Sequence, residues 1–118
     1  MANFSKVSVP MNESRTELHD KLSLTGAEIS VNKLEAGASV PFVHYHKKNE
    51  EIYFITAGRG KAVIDGETVE LTVGDWLRIA PVARRQFFAA ENSPLGYVCI
   101  QVKENSLEGY TMDDGVTA

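Results

Sequence analysis

The sequence predicts an all-β domain of the sandwich or barrel type, and three observations support this prediction. Between residues 25 and 102, short runs of β-branched and aromatic residues are separated by turn residues at intervals typical of such folds. Several of these runs alternate polar and apolar residues, as strands with one buried face do. No long helical pattern interrupts them.

The N-terminal segment, residues 1–24, carries weaker signals than the rest of the chain. Apolar and polar residues alternate over positions 1–10, which indicates a short edge strand. Residues 12–22 favour a brief helix, because Leu18 and Leu22 lie four positions apart and would share a helical face.

The central region, residues 25–102, contains about eight predicted strands. In chain order these are EISVNKL, SVPFVHYH, EEIYFITAG, GKAVI, TVEL, WLRI, RRQFFAA and YVCIQV. The pair Asp65-Gly66 predicts a two-residue hairpin turn, because both central residues of a type I′ turn need positive φ. Residues 103–118 lose the alternation and become polar, so we expect a surface tail there.

Composition narrows the class of protein. A chain of 118 residues predicts one domain, and a net charge of −4 without a basic stripe argues against a nucleic-acid partner. Cys99 is the single cysteine, so an intrachain disulfide is excluded. No apolar stretch approaches the roughly 18 residues of a membrane helix, and the N-terminus lacks a signal-peptide pattern. We therefore expect a cytoplasmic protein without a membrane partner.

The stretch PFVHYHKKNEEIYFITAG contains two of the three histidines. His44 and His46 would share one face of an extended segment, since alternate residues point the same way. If the polar loop after them reverses the chain, Glu51 lies beside the pair. Alternatively, the two histidines belong to a solvated surface loop, as the neighbouring Lys47 and Lys48 suggest.

Two imidazoles and one carboxylate on one side of an ion suit a divalent transition metal such as Fe, Mn, Ni, Co or Zn. Glu51 would share its strand face with Tyr53 and Ile55, so Tyr53 would line the same space. An unpaired carboxylate among apolar side chains is costly, and a bound cation would offset that cost.

Five positions resemble the first motif of the cupin family: Gly37, His44, His46, Glu51 and Gly58. Four residues separate His46 from Glu51 and six separate Glu51 from Gly58, as in the motif. The interval from Gly37 to His44 is one residue longer than usual.

A second, partial match begins at Gly74-Asp75 and continues to Pro81, which resembles the start of the family's second motif. The resemblance spans roughly residues 25–102. It implies an antiparallel jelly-roll β-barrel with a metal held by His44, His46 and Glu51. It also implies a homodimer, with residues 1–24 packing on the barrel or on the dimer partner.

The second motif lacks the further histidine that the family usually supplies. Counting from Gly74, its position is Arg85; counting from Pro81, it is Gln86, because DWLRIA is one residue longer than the usual gap. Adjacent strand residues face opposite ways, so only one of the two would enter the barrel.

The two candidates for this position would have different roles. The amide oxygen of Gln86 could be a weak fourth ligand. Arg85 has no acceptor and would instead pair with Glu51 or clamp a carboxylate of a substrate. Phe87 and Ala89 would share the face of Arg85, which favours that register, although the residues beside them serve the other register equally well.

Three functions remain open from the sequence. The first is a metal-dependent enzyme, an oxygenase or an isomerase/lyase, acting on a small organic molecule. The second is a non-catalytic module that binds a sugar or organic acid, with a structural metal or none. The third is a cupin without metal, in which Arg85 replaces the ion opposite Glu51. The sequence identifies no catalytic residue and does not decide whether the chain is an enzyme.

Overall fold

The computed structural model describes residues 2–118, and Met1 lies outside the described residues. It contains one short helix, α1 (His19–Leu22), and seven strands. The strands are β1 (Arg15–Glu17), β2 (Glu28–Leu34), β3 (Asn49–Ile64), β4 (Glu67–Thr72), β5 (Trp76–Ile79), β6 (Arg85–Ala89) and β7 (Leu95–Lys103). Every strand pair is antiparallel, which confirms the predicted all-β antiparallel fold.

Strand β3 is long and belongs to two sheets. Its first part pairs with β7 and β5, and its second part pairs with β4 and β6. The first sheet continues from β7 to β2 and β1, and the ladder as a whole is not closed into a ring. The predicted division of β3 into two strands at Gly58 is wrong. A register shift between Ile55 and Ala57 lets one strand change sheets without ending.

The hairpin after β3 has the predicted turn. Asp65 and Gly66 have φ of 50° and 83°, so both central residues adopt the left-handed conformation. The strand predicted over residues 39–46 is wrong in its extent. Only isolated bridges form there, from Ser39 to Phe88 and from His44 to Arg85.

The described part of the N-terminal segment differs from two predictions. Residues 2–10 contain no strand, and the helix is limited to His19–Leu22 instead of spanning residues 12–22. Arg15–Glu17 is extended because it pairs with β2, and sheet pairing overrides weak local helix propensity.

The core lies between the two sheets and contains three stacked or tilted aromatic rings. The ring of Phe87 lies 4.3 Å from that of Tyr53 and 5.3 Å from that of Tyr97. Ile55 and Leu95 are fully buried beside them. In the tail, Tyr110 and Met112 are exposed, and a turn forms there through the bond from the N–H of Asp113 to the carbonyl of Tyr110.

Among residues 2–118, no helix has the length and hydrophobicity needed to cross a membrane.

Candidate metal centre

His44 and His46 are held in an extended segment that runs along β6 and the loop before it. The backbone N–H of His44 donates to the carbonyl of Arg85, and the N–H of Arg85 donates back to His44. The N–H of His46 donates to the carbonyl of Pro81 over 2.8 Å. These bonds keep the segment extended, so the two imidazoles lie on one side, with ring centroids 5.3 Å apart.

Glu51 lies in β3 opposite Ile79 of β5 and Gln101 of β7, with its side chain turned inward and 3% exposed. Its Oε2 is 3.1 Å from Nε2 of His46, and its Oε1 is 3.8 Å from Nε2 of His44. Among the described residues, these three form a cluster whose candidate ligand atoms all lie within 4.8 Å of one another.

The Glu51 carboxylate also accepts hydrogen bonds from three other side chains. The hydroxyl of Tyr53 and a guanidinium nitrogen of Arg85 each donate to Oε1 over 2.6 Å. The thiol of Cys99 donates to Oε2 over 3.3 Å. A carboxylate can be buried at this depth because its lone pairs are satisfied by these donors.

Arg85 is fully buried, and its donors are directed at the protein itself. Apart from Glu51, its guanidinium donates to the backbone carbonyls of Ala80, Pro81 and Ala83. These bonds turn the guanidinium behind Glu51 and away from the cavity described below, whose lining does not include Arg85. The arrangement matches the expected pairing with Glu51 and leaves no place for a substrate clamp by Arg85.

Gln86, the residue after Arg85, lines the cavity and is half-buried. Its amide nitrogen donates to the carbonyl of Val40 over 2.7 Å. Gln86 does not belong to the cluster of possible ligands. Its expected role as a fourth ligand or substrate contact stays a prediction.

Burial and hydrogen bonding shift the protonation equilibria of the cluster. Burial alone would raise the pKa of Glu51, but hydrogen bonds from Tyr53 and Arg85 outweigh it and hold that pKa below its usual value. Burial lowers the pKa of His44, so the neutral imidazole is favoured. Burial also raises the pKa of Cys99 to about 12 and that of Tyr53 far above its usual value. At neutral pH the cluster therefore contains a carboxylate, a thiol, a phenol and a neutral His44.

A cavity of about 500 Å³ opens onto the cluster. His44, His46, Glu51, Tyr53 and Cys99 line its inner end. The other lining residues are Ser14, Arg15, Asn32, Lys33, Leu34, Ser39, Val40, Pro41, Phe42, Gln86, Phe87, Tyr97 and Gln101. This volume is in the range of pockets that hold small organic molecules.

The donor set fits a divalent transition metal held by three protein side chains. Two imidazole nitrogens and a carboxylate converge at the end of a cavity, which would leave coordination positions open to a ligand. Nδ1 of His44 is a buried nitrogen without a hydrogen-bond partner in residues 2–118. It therefore lacks the outer partner that usually orients a metal-bound histidine.

Comparison with known proteins identifies the family. A profile of the Cupin domain matches residues 30–101, which is more than half of the chain. This chain belongs to the cupin family. A crystal structure of a cupin protein from Bacteroides fragilis is 62% identical, covers 100% of this chain and 99% of its own, and superposes with a TM-score of 0.96.

More distant cupins share the fold. A predicted oxalate decarboxylase from Thermotoga maritima is 25% identical over 64% of each chain, with a TM-score of 0.60. A sugar phosphate isomerase of the cupin superfamily from Silicibacter pomeroyi is 22% identical, covers 76% of this chain and 60% of its own, and has a TM-score of 0.67. An uncharacterized protein of Methanocaldococcus jannaschii is 36% identical over 61 residues, which are 52% of this chain and 49% of that protein. This cupin thus spans about half the length of that curated relative.

Sequence reasoning missed two residues of the site. Cys99 was not among the predicted site residues, yet it lies opposite Tyr53 in the ladder and donates to Glu51. Alternation along β7 places it on the inner face, but the register against β3 was needed to bring it beside Glu51. Arg15 was not considered because it falls in the segment that was predicted to be helical. Pairing of β1 with β2 carries Arg15 to the cavity.

Proposed function

We propose that this cupin binds a small organic molecule in the cavity, together with a divalent transition metal held by His44, His46 and Glu51. The observation that carries the proposal is the convergence of their three ligand atoms at the inner end of a cavity of about 500 Å³. Fe, Mn, Ni, Co and Zn are all compatible with this set of ligands.

A metal bound there would supply Lewis acidity, or redox chemistry with oxygen if it were iron. Tyr53 and Arg85 hold Oε1 of Glu51, which fixes the carboxylate beside the imidazoles. These features support an oxygenase or an isomerase/lyase, and the similarity to a predicted oxalate decarboxylase is in line with a reaction on a small molecule.

A second candidate is favoured by the buried pair of Arg85 and Glu51. The guanidinium already provides Glu51 with a positive partner, so the carboxylate does not need a metal for its neutralisation. In this candidate the cupin is a non-catalytic module that binds its small molecule without metal. Coulomb repulsion from Arg85 would also weaken the binding of a divalent ion.

Metal content distinguishes the two candidates. The protein, the His44→Ala/His46→Ala double variant and His19→Ala are purified without chelators, and metal is measured by mass spectrometry. His19 is the third histidine, half-exposed and in α1, and serves as the matched control. We expect about one ion per chain in the wild type and in His19→Ala, and a loss of that ion in the double variant.

Equal metal content in the wild type and the double variant would contradict a metal site at His44 and His46. Absence of metal in the wild type after incubation with each of the five ions would favour the metal-free module.

We also propose that two copies associate through the outer face of the sheet formed by β2, β7, β3 and β5. This face carries two apolar rows, Ile29–Ile100–Ile52 and Val31–Val98–Phe54–Trp76. Trp76 is 64% exposed and stacks on Phe54. A contiguous apolar sheet face of this kind is typical of interaction surfaces. The cytoplasmic location stays a prediction.

A further inference from the structure

We propose that the small molecule bound in this cavity is an organic anion, a carboxylate with an apolar body, whose charge is bound by Arg15 at the cavity rim. The inference rests on the proposed function only in that a small molecule occupies the cavity. It holds with or without a metal.

The charges that line the cavity are unbalanced. Glu51 is its one acidic side chain, and the buried Arg85 compensates that charge from behind at 2.6 Å. The remaining charged lining residues, Arg15 and Lys33, are basic. Each has a carboxylate neighbour on the exposed surface, Glu35 at 3.6 Å from Lys33 and Glu17 at 3.2 Å from Arg15, and such pairs are weak. Arg15 is the one of the two that bonds a cavity-lining side chain, Asn32, so it is the cation that a bound molecule would meet, and a metal would add further positive charge.

Arg15 is oriented toward the cavity by the strand pairing of the N-terminal segment. It lies opposite Asn32 in the ladder between β1 and β2, and it donates to the side-chain oxygen of Asn32 over 3.0 Å. Asn32 is itself 6% exposed and lines the cavity. The interaction between Arg15 and Glu17 joins two exposed side chains and is weak, so it leaves the guanidinium available.

Arg15 and the cluster of His44, His46 and Glu51 line the same cavity. A carboxylate between Arg15 and the cluster would therefore interact with both ends. A planar guanidinium matches a carboxylate through two parallel hydrogen bonds, which gives selectivity for this group.

The walls between the two ends are mainly apolar, which defines the rest of the ligand. Leu34, Val40, Phe42 and Phe87 line them. The neutral polar side chains of the lining contribute less surface than the apolar ones and come from Ser14, Asn32, Ser39, Gln86 and Gln101. An aliphatic or aromatic acid fits this combination better than a polyhydroxylated neutral molecule, which would leave many hydroxyls without partners.

Matched pairs of acid and amide test the inference. Benzoate is compared with benzamide, phenylacetate with phenylacetamide, and butyrate with butyramide, by ligand-observed NMR and calorimetry at low salt. The proteins are the wild type, Arg15→Gln and Lys61→Gln, each measured after chelation and after loading with Zn²⁺. Lys61 is the control because it is an exposed cation over Phe88, on the other sheet.

We expect the acids to bind the wild type and Lys61→Gln roughly tenfold or more tightly than their amides, as charge-assisted hydrogen bonds predict. In chelated Arg15→Gln this preference should fall to about threefold or less, whereas in the Zn²⁺-loaded variant the ion itself attracts acids, so there the preference should fall only relative to that of the loaded wild type. Equal binding of acids and amides by the wild type, retention of the full preference in chelated Arg15→Gln, or no binding of any pair up to the solubility limit would overturn the inference. The separate measurement of metal content shows whether the metal site also fails, so the two failures are distinguishable.

Discussion

At the scale of single residues, the guanidinium of Arg85 lies behind the carboxylate of Glu51, at one of the two positions where the motif resemblance leads us to expect a further histidine. Arg85 cannot bind a metal, and it is held by three backbone carbonyls and by Glu51. Both side chains of the pair are buried, with exposures of 0% for Arg85 and 3% for Glu51. Such a pair is weak evidence for net stabilisation, because burying two charges is costly, but removal of one partner leaves an uncompensated charge.

We therefore predict that Arg85→Ala strongly destabilises the metal-free protein. The expected loss in the free energy of unfolding is about 3–5 kcal/mol, because Glu51 would stay buried without its cation. The measurement is urea denaturation at pH 7 after chelation. Arg78→Ala is the matched control, since Arg78 also bonds two carboxylates, those of Glu50 and Glu104, but on the exposed surface.

Arg78→Ala should lower the free energy of unfolding far less than Arg85→Ala, because water and salt screen the exposed pairs. Similar losses in both variants would show that the buried pair has no special role. If metal loading restores much of the stability of Arg85→Ala, the ion replaces the lost charge opposite Glu51.

The sequence predicted the members of the site more fully than their surroundings. The spacing from His44 to Glu51 involves only local alternation and one loop. The proximity of these residues could therefore be predicted without knowledge of the strand pairing. Their proximity is now observed, while their roles as metal ligands stay predictions. The register of β6 against the distant strand β3 places Arg85 beside Glu51 and Gln86 at the cavity, although only one of the two was expected to face inward. Local alternation could not fix that register.

At the scale of elements, β3 organises the molecule because it pairs with four other strands. Sequence analysis recognised the strand residues but interpreted Gly58 as an end. In the structure Gly58 has φ of +67°, and the chain continues past it into the second sheet. Glycine is also required by space, since a Cβ at this position would lie 1.8 Å from the carbonyl oxygen of Pro94. A glycine within a strand can therefore mark a close approach of two chain segments instead of a turn.

We predict that Gly58→Ala destabilises the protein several times more than Gly66→Ala. Both glycines have positive φ, but a Cβ at Gly66 would meet open space, so only the conformational cost of roughly 1 kcal/mol applies there. At Gly58 the clash with backbone adds to that cost, because Gly58 lies in the ladder of β3 and the carbonyl of Pro94 is held by the N–H of Arg59. Thermal and urea unfolding of both variants measure the difference, and equal losses would contradict the importance of the close approach.

At the scale of the whole molecule, two segments extend beyond the sheets. The radius of gyration is 15.7 Å, compared with about 13 Å expected for a compact domain of 100 residues. Each residue of the ranges 2–6 and 105–108 is exposed. The proposed division into residues 1–24, 25–102 and 103–118 stays a prediction, although β1 joins the first of these segments to the sheet.

The outer face of the first sheet leads to the prediction for the assembly. One of its two apolar rows crosses β2, β7 and β3, and the other also crosses β5. A twofold dimer would place this same face of each copy in contact. Arg78 at its edge already pairs with Glu50 and Glu104, so no opposing charge is required from a partner. An apolar face that needs no opposing charge from its partner can pack against the same face of a second copy.

We predict that the wild type has a solution mass of twice 13.0 kDa and that Trp76→Glu shifts it toward the monomer. A buried, unpaired carboxylate at the interface would oppose association. Tyr110→Glu is the control, because Tyr110 is an aromatic of similar exposure, 68% against 64%, in the tail. Light scattering after size-exclusion chromatography at several concentrations measures the mass. A monomeric wild type, or a dimer that persists in Trp76→Glu, would exclude this face as the interface, while circular dichroism shows that the variant stays folded.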